Sequence, residues 1–69
     1  MKIETKFDIG DKVLIRGKRY TVCYINVQAY KERAPVTYIH GETFINGGKD
    51  CIGDCDIEEN VVVDPHADN

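Results

Sequence analysis

Residues 7–22, Phe-Asp-Ile-Gly-Asp-Lys-Val-Leu-Ile-Arg-Gly-Lys-Arg-Tyr-Thr-Val, constrain this chain more than any other stretch. Gly10 tolerates a positive φ and Asp11 can bond nearby backbone amides, so residues 7–11 read as an opening turn. The alternation from Lys12 to Arg16 predicts a short strand, with Val13 and Ile15 on one face and Lys12, Leu14 and Arg16 on the other. Gly17-Lys18, with glycine first, predicts a two-residue type II′ corner. Phe7 and Ile9 are expected to close one open end of the core.

The next strand is the longest, from Arg19 to about Gln28, and it is rich in β-branched and aromatic residues. Its apolar positions do not keep one phase. Thr21, Cys23, Ile25 and Val27 share one face; Tyr20, Val22, Tyr24 and Asn26 share the other. Burial on both sides, or a bend at a bulge, accounts for this pattern. Residues 29–35 read as an exposed loop ending at Pro35. Val36 to His40 resumes a strand, Gly41 reads as a bulge or turn, and Glu42 to Ile45 continues. Asn46-Gly47 predicts a type I′ corner. Residues 49–55 give no regular pattern. Asp56, with Glu59 three residues on, has capping-box spacing and predicts one helical turn ending near Asn60. Val61 to Val63 then closes the sheet.

The resulting expectation is a single all-β domain over residues 1–63, with a frayed lead or edge strand at 1–6 and a flexible tail at 64–69. A chain of 69 residues buries only about 60% of the surface its unfolded form exposes, which leaves a small core. Ile, Val and Tyr must supply it, because the chain has no Trp and two Phe. The first residues lack the apolar stretch of a signal peptide, and no run approaches the ~18 apolar residues of a membrane span. A cytoplasmic protein without membrane association is expected. Three cysteines are an odd number and cannot form a complete disulfide framework, so thiols are expected in a reducing compartment.

The net charge of −3 conceals a segregation. Residues 1–35 hold eight Lys or Arg against four acids, a balance of +4. Residues 36–69 hold one base against eight acids, a balance of −7. Such a difference points to a charged partner, or to a solvated surface of mixed sign where the two halves interleave.

The pattern Phe7-x-x-Gly10-Asp11-x-Val13, followed by a corner, a long bent strand, a loop, a hairpin and a turn at Asp56-Ile57-Glu58-Glu59 before Val61-Val62, resembles SH3-like barrel domains of the KOW and Tudor type. The layout is also similar to small uncharacterised phage and prophage proteins with this opening. The resemblance implies a small, partly open SH3-like barrel of about five strands, with one short helical turn before the last. It carries over no ligand-binding residues, since the tyrosines here match no aromatic-cage pattern.

Chemistry-bearing groups are sparse. There is no Ser for a nucleophile, and Gly47-Gly48-Lys49 lacks the spacing and the helix of a phosphate loop. Cys51-x-x-x-Cys55 with Cys23, His40 and His66 has partial zinc-ligand spacing, and a turn at Gly53 would allow a local Cys51–Cys55 bridge. Asp50, Asp54 and Asp56 do not follow the EF-hand pattern. The expectation is therefore no catalytic residue, no metal and no cofactor. The favoured function is a non-catalytic protein-binding module, such as a phage-encoded modulator or inhibitor of a host factor. It would act through an exposed strand edge, the loop residues Tyr30, Lys31 and Arg33, and the acidic residues Asp50, Asp54, Asp56 and Glu58. Open edges also allow a homodimer. The alternative is an RNA or single-stranded DNA module that uses Arg16, Lys18, Arg19, Lys31 and Arg33 with Tyr20, Tyr24 and Tyr30.

Overall fold

Strand-favouring residues in period-two alternation give five antiparallel strands in the computed structural model, which describes residues 5–66. They are β1 (Lys12–Ile15), β2 (Lys18–Gln28), β3 (Val36–Ile45), β4 (Asp50–Ile57) and β5 (Val62–Val63), with a 3-10 turn at Glu58–Asn60. The sheet is open, in the order β4-β3-β2-β1-β5. Among the described residues, no helix is long and apolar enough to cross a membrane. Of the expected lead, Met1 to Glu4 lies outside the described residues, as do Ala67 to Asn69 of the expected tail.

The opening turn forms as its residues dictate. The Asp8 amide donates to the Asp11 carboxylate at 2.9 Å, and the Asp11 amide donates to the Asp8 carbonyl at 3.1 Å. The turn is then tied to β2, because the Gly10 amide donates to the Val22 carbonyl and the Val22 amide to the Asp11 carbonyl, both at 2.9 Å. Phe7 is buried as expected, but Ile9 is 61% exposed and closes nothing. The turn directs Phe7 inward and carries Ile9 past the core.

The first corner differs from its expectation. The turn residues are Arg16-Gly17, not Gly17-Lys18, and Ile15 pairs with Lys18. Both central residues have positive φ (53° and 79°), which is the type I′ rather than the II′ geometry. Arginine in the left-handed region is uncommon. Its side-chain contacts, described below, supply the compensation.

In β2 the bulge accounts for the phase change. Val22 pairs with Gly41 and Tyr24 with His40, so Cys23 is the extra residue. Before the bulge Tyr20 and Val22 face the core; after it, Ile25 does, opposite the fully buried Ile39. Gly41, in contrast, is neither bulge nor turn. It lies inside a continuous ten-residue strand, and a Cβ placed there would sit 2.6 Å from Tyr20 Cβ and 3.1 Å from Ile15 Cδ1. Glycine is required because β1, β2 and β3 converge there. The core is Phe7, Val13, Ile15, Tyr20, Val22, Ile39 and Val61.

Residues 49–55, without pattern in the sequence, belong largely to β4, which pairs with β3 over eight residues from Ile45↔Asp50 to Tyr38↔Ile57. The type I′ corner at Asn46-Gly47 is present, closed by the Gly48 amide donating to the Ile45 carbonyl at 3.1 Å. The helical turn also lies where expected, but Ile57 rather than Asp56 precedes it, and no side chain caps it. Asp56 braces it laterally instead, accepting from the Ile57 amide and from Asn60 Nδ2. Beyond Val63, Asp64 is only 7% exposed. Its amide donates to the Lys12 carbonyl, and its carboxylate accepts from the His66 amide and lies 3.5 Å from Arg19 Nε.

Candidate interaction surface

Period two along β4 separates its residues by face. Asp54 and Asp56 pair with Gly41 and Ile39, so they stand on the core side of an edge strand. Carboxylates there need a counter-charge. Arg16 provides it from the β1–β2 corner: its Nη1 lies 2.6 Å from Asp54 Oδ1 and donates to the Cys55 carbonyl at 3.1 Å, and its Nη2 lies 4.0 Å from Asp56 Oδ2. The hydrogen bond from Arg16, then the amide of Cys55, hold the Asp54 carboxyl below the usual carboxylate range. Glu58 is held low as well, first by the Thr5 hydroxyl and then by the Lys6 amide at 2.9 Å.

The other face of β2, β3 and β4 carries an open groove of about 470 Å³. The rings of Tyr24 and His40, a cross-strand pair, stack with centroids 4.0 Å apart. Cys55 lies beside His40 on the next strand, and Cys51 lies opposite Phe44. The Cys23 thiol donates to the His40 carbonyl at 3.3 Å, and the Cys51 thiol is 3.7 Å from Glu42 Oε2. Desolvation in the groove and the Glu42 carboxylate push the Cys51 thiol above its ordinary pKa.

The three cysteines and His40 thus share one groove, while His66 lines a separate one with Lys12, Arg19 and Asp64. Among the described residues, no three Cys, His, Asp or Glu side chains are placed to hold a metal ion. The local Cys51–Cys55 bridge is overturned. β4 is extended through Gly53, so four residues separate the two Cα atoms by ~13 Å, about twice what a disulfide spans.

The sequence-selected residues divide between two ends of the sheet. In the 29–35 loop, Arg33 stacks over the Tyr30 ring at 4.0 Å and Lys31 is exposed. The Tyr30 hydroxyl raises the pKa of Tyr38, whose strand partner is Ile57, so this loop adjoins the end of β4 at Asp56, where the turn that holds Glu58 begins. Asp50 stands at the opposite end, ~20 Å from Asp56 along the strand, and accepts from Asn46 Nδ2 at 2.5 Å. The basic set divides too. Tyr20 is core, Arg16 is engaged by Asp54 and Arg19 adjoins Asp64, while Lys31 and Arg33 lie at the far end of β2.

Sequence reasoning passed over Arg16 as a partner of β4, and it passed over the exposed apolar group on the β3–β4 hairpin: Phe44 at 66%, Ile52 at 41%, and Ile45. Phe44-Ile45 and Ile52 on either side of an Asn-Gly corner were a readable signal for the latter. Comparison of the chain with family models, with curated proteins and with solved structures gave no match.

Proposed function

We propose that the chain is a small SH3-like barrel acting as a non-catalytic protein-binding module. Support for the barrel is the strand order, the 3-10 turn before β5 and the Arg16 link from the first corner to β4. The observation that carries the binding role is the β3–β4 hairpin, where Phe44, Ile45 and Ile52 are exposed beside an edge strand. Ile45 and Ile52 lie on one face of the hairpin and Phe44 on the other, and apolar groups exposed on both sides of an unpaired edge are characteristic of a docking surface. A binding rather than catalytic role also fits the site's electrostatics. Asp54 and Glu58 are held in their charged forms and Cys51 in its neutral form, the reverse of what a general acid or a thiolate nucleophile needs.

The test is photo-crosslinking from a probe amino acid at position 44 in an extract of the producing cell. A discrete protein adduct, competed away by unlabelled chain, is expected. An adduct sensitive to nuclease, or none, would refute the reading.

A further inference from the structure

The hydrogen-bond pattern of β4 shows which part of its outer edge is open. In an antiparallel strand, residues of one parity direct both their amide and their carbonyl to the same side. The Cys55 carbonyl accepts from Arg16, and the Cys55 amide donates to the Asp54 carboxylate at 2.8 Å, so neither points to β3. The Ile57 amide is likewise taken by Asp56 at 2.8 Å. The odd residues therefore face the outer edge. Its C-terminal half is capped from within the chain, by the two aspartates and Arg16.

Cys51 and Gly53 have the same parity, so their amides and carbonyls face outward as well. The carboxylate that would cap the Cys51 amide in the same way belongs to Asp50, which is drawn back to Asn46 instead. Residues 50–53 are exposed throughout. Among the described residues nothing pairs with these two adjacent rungs, four backbone groups in all, and they lie open to another strand, with Ile52 on one face and Phe44 on the other.

Resting on the protein-binding reading above, we infer that Cys51 and Gly53 accept an extended, cationic segment of another protein as an added antiparallel strand. Side-chain register specifies the partner. With the rungs at Cys51 and Gly53, the residue opposite Ile52 is apolar, and those opposite Asp50 and Asp54 are Lys or Arg. Arg16 already shows, within the chain, how a guanidinium satisfies a carbonyl and a carboxylate of this edge. A second copy fits less well. A two-fold axis at Ile52 would set Asp50 against the other copy's Asp54 twice, and like charges directly opposed are destabilising.

The probes are two capped peptides, Thr-Lys-Thr-Val-Thr-Lys-Thr and Thr-Glu-Thr-Val-Thr-Glu-Thr, titrated into the whole chain, with amide exchange and chemical shifts read residue by residue. The Lys peptide should slow exchange at Cys51 and Gly53 and bind about tenfold more tightly than the Glu peptide. Cys51→Pro, which removes one outward amide at an edge position that tolerates proline, should abolish that protection while Val22 and Ile39 keep their shifts. Asp50→Lys leaves one ammonium and one carboxylate opposite the two charged residues of either peptide and should cancel the preference between them, which tests the register even if the proline variant misfolds. Equal binding of both peptides to the parent chain, or none at Cys51 and Gly53, would overturn the inference. So would protection that rises with protein concentration alone, which would identify a second copy as the occupant. Lys-peptide shifts confined to the 29–35 loop would overturn the edge site and leave the protein-binding reading standing; a failed crosslink at position 44 would remove that reading itself.

Discussion

Arg16 and Asp54, 38 residues apart, meet at 2.6 Å and join the first corner of the sheet to its far edge strand. The arginine does this from a left-handed backbone conformation that glycine would adopt more easily. Its value therefore lies in the side chain. Arg16→Ala should lower the urea midpoint, losing the ion pair and keeping the backbone strain. Arg16→Gly should lose the ion pair but relieve the strain, and so unfold at a higher midpoint than Arg16→Ala.

The same pair gives the fold an acid sensitivity. Asp54 and Glu58 both have carboxyls held below their ordinary values, so on acidification the unfolded chain takes up protons first. The stability they contribute is fully present above the ordinary carboxylate range and is lost as pH falls through it, from about pH 4.5 downward. Urea midpoints measured between pH 7 and pH 3 should show a drop at the acid end. Asp54→Asn should lower the midpoint at pH 7 and make that drop shallower.

At Gly41 the limit is space rather than charge. A methyl group there meets Tyr20 Cβ at 2.6 Å, and both atoms belong to well-packed strands. Gly41→Ala should cost about 1–3 kcal/mol by overpacking, read from denaturant unfolding.

Phe7 and Ile9, two residues apart, should respond in opposite ways. Phe7→Ala opens the core and should cost about 3–5 kcal/mol, close to the whole stability of a chain this small. Ile9→Ala, at a position 61% exposed, should stay within about 0.5 kcal/mol of the parent chain in the same unfolding measurement.

That contrast shows where the sequence was legible. Period two and turn chemistry located β1, the long β2, the 29–35 loop and the Asn46-Gly47 corner, because those signals are local. The out-of-phase apolar residues of β2 left burial on both sides or a bulge open, and the register shift between Val22 and Tyr24 is a bulge. What failed was non-local. β4 is written Asp-Cys-Ile-Gly-Asp-Cys-Asp-Ile, with few strand-favouring residues, and it forms because β3 offers it eight partners. Gly41 looked like a break because its reason, the approach of Tyr20, lies in another strand. The acidic residues looked like one face because their partners, Asn46, Arg16 and Thr5, come from three places in the chain. Ile9 had the composition of a core residue, and only the path of the turn carries it into solvent.

Cys51 and Cys55 provide a final check on β4, since a turn at Gly53 and a continuous strand predict different thiol chemistry. With both side chains on one face of an extended strand, ~13 Å apart at their Cα atoms, mild oxidation should give no Cys51–Cys55 bridge within a chain. Peptide mapping under non-reducing conditions reads this directly; an intrachain bridge formed without unfolding would mean that β4 bends at Gly53. Reactivity adds the electrostatic part. Desolvation and the neighbouring Glu42 carboxylate raise the Cys51 thiol, so its alkylation rate should rise at higher pH than that of a free cysteine. Glu42→Gln removes the negative charge and should move that profile back toward lower pH.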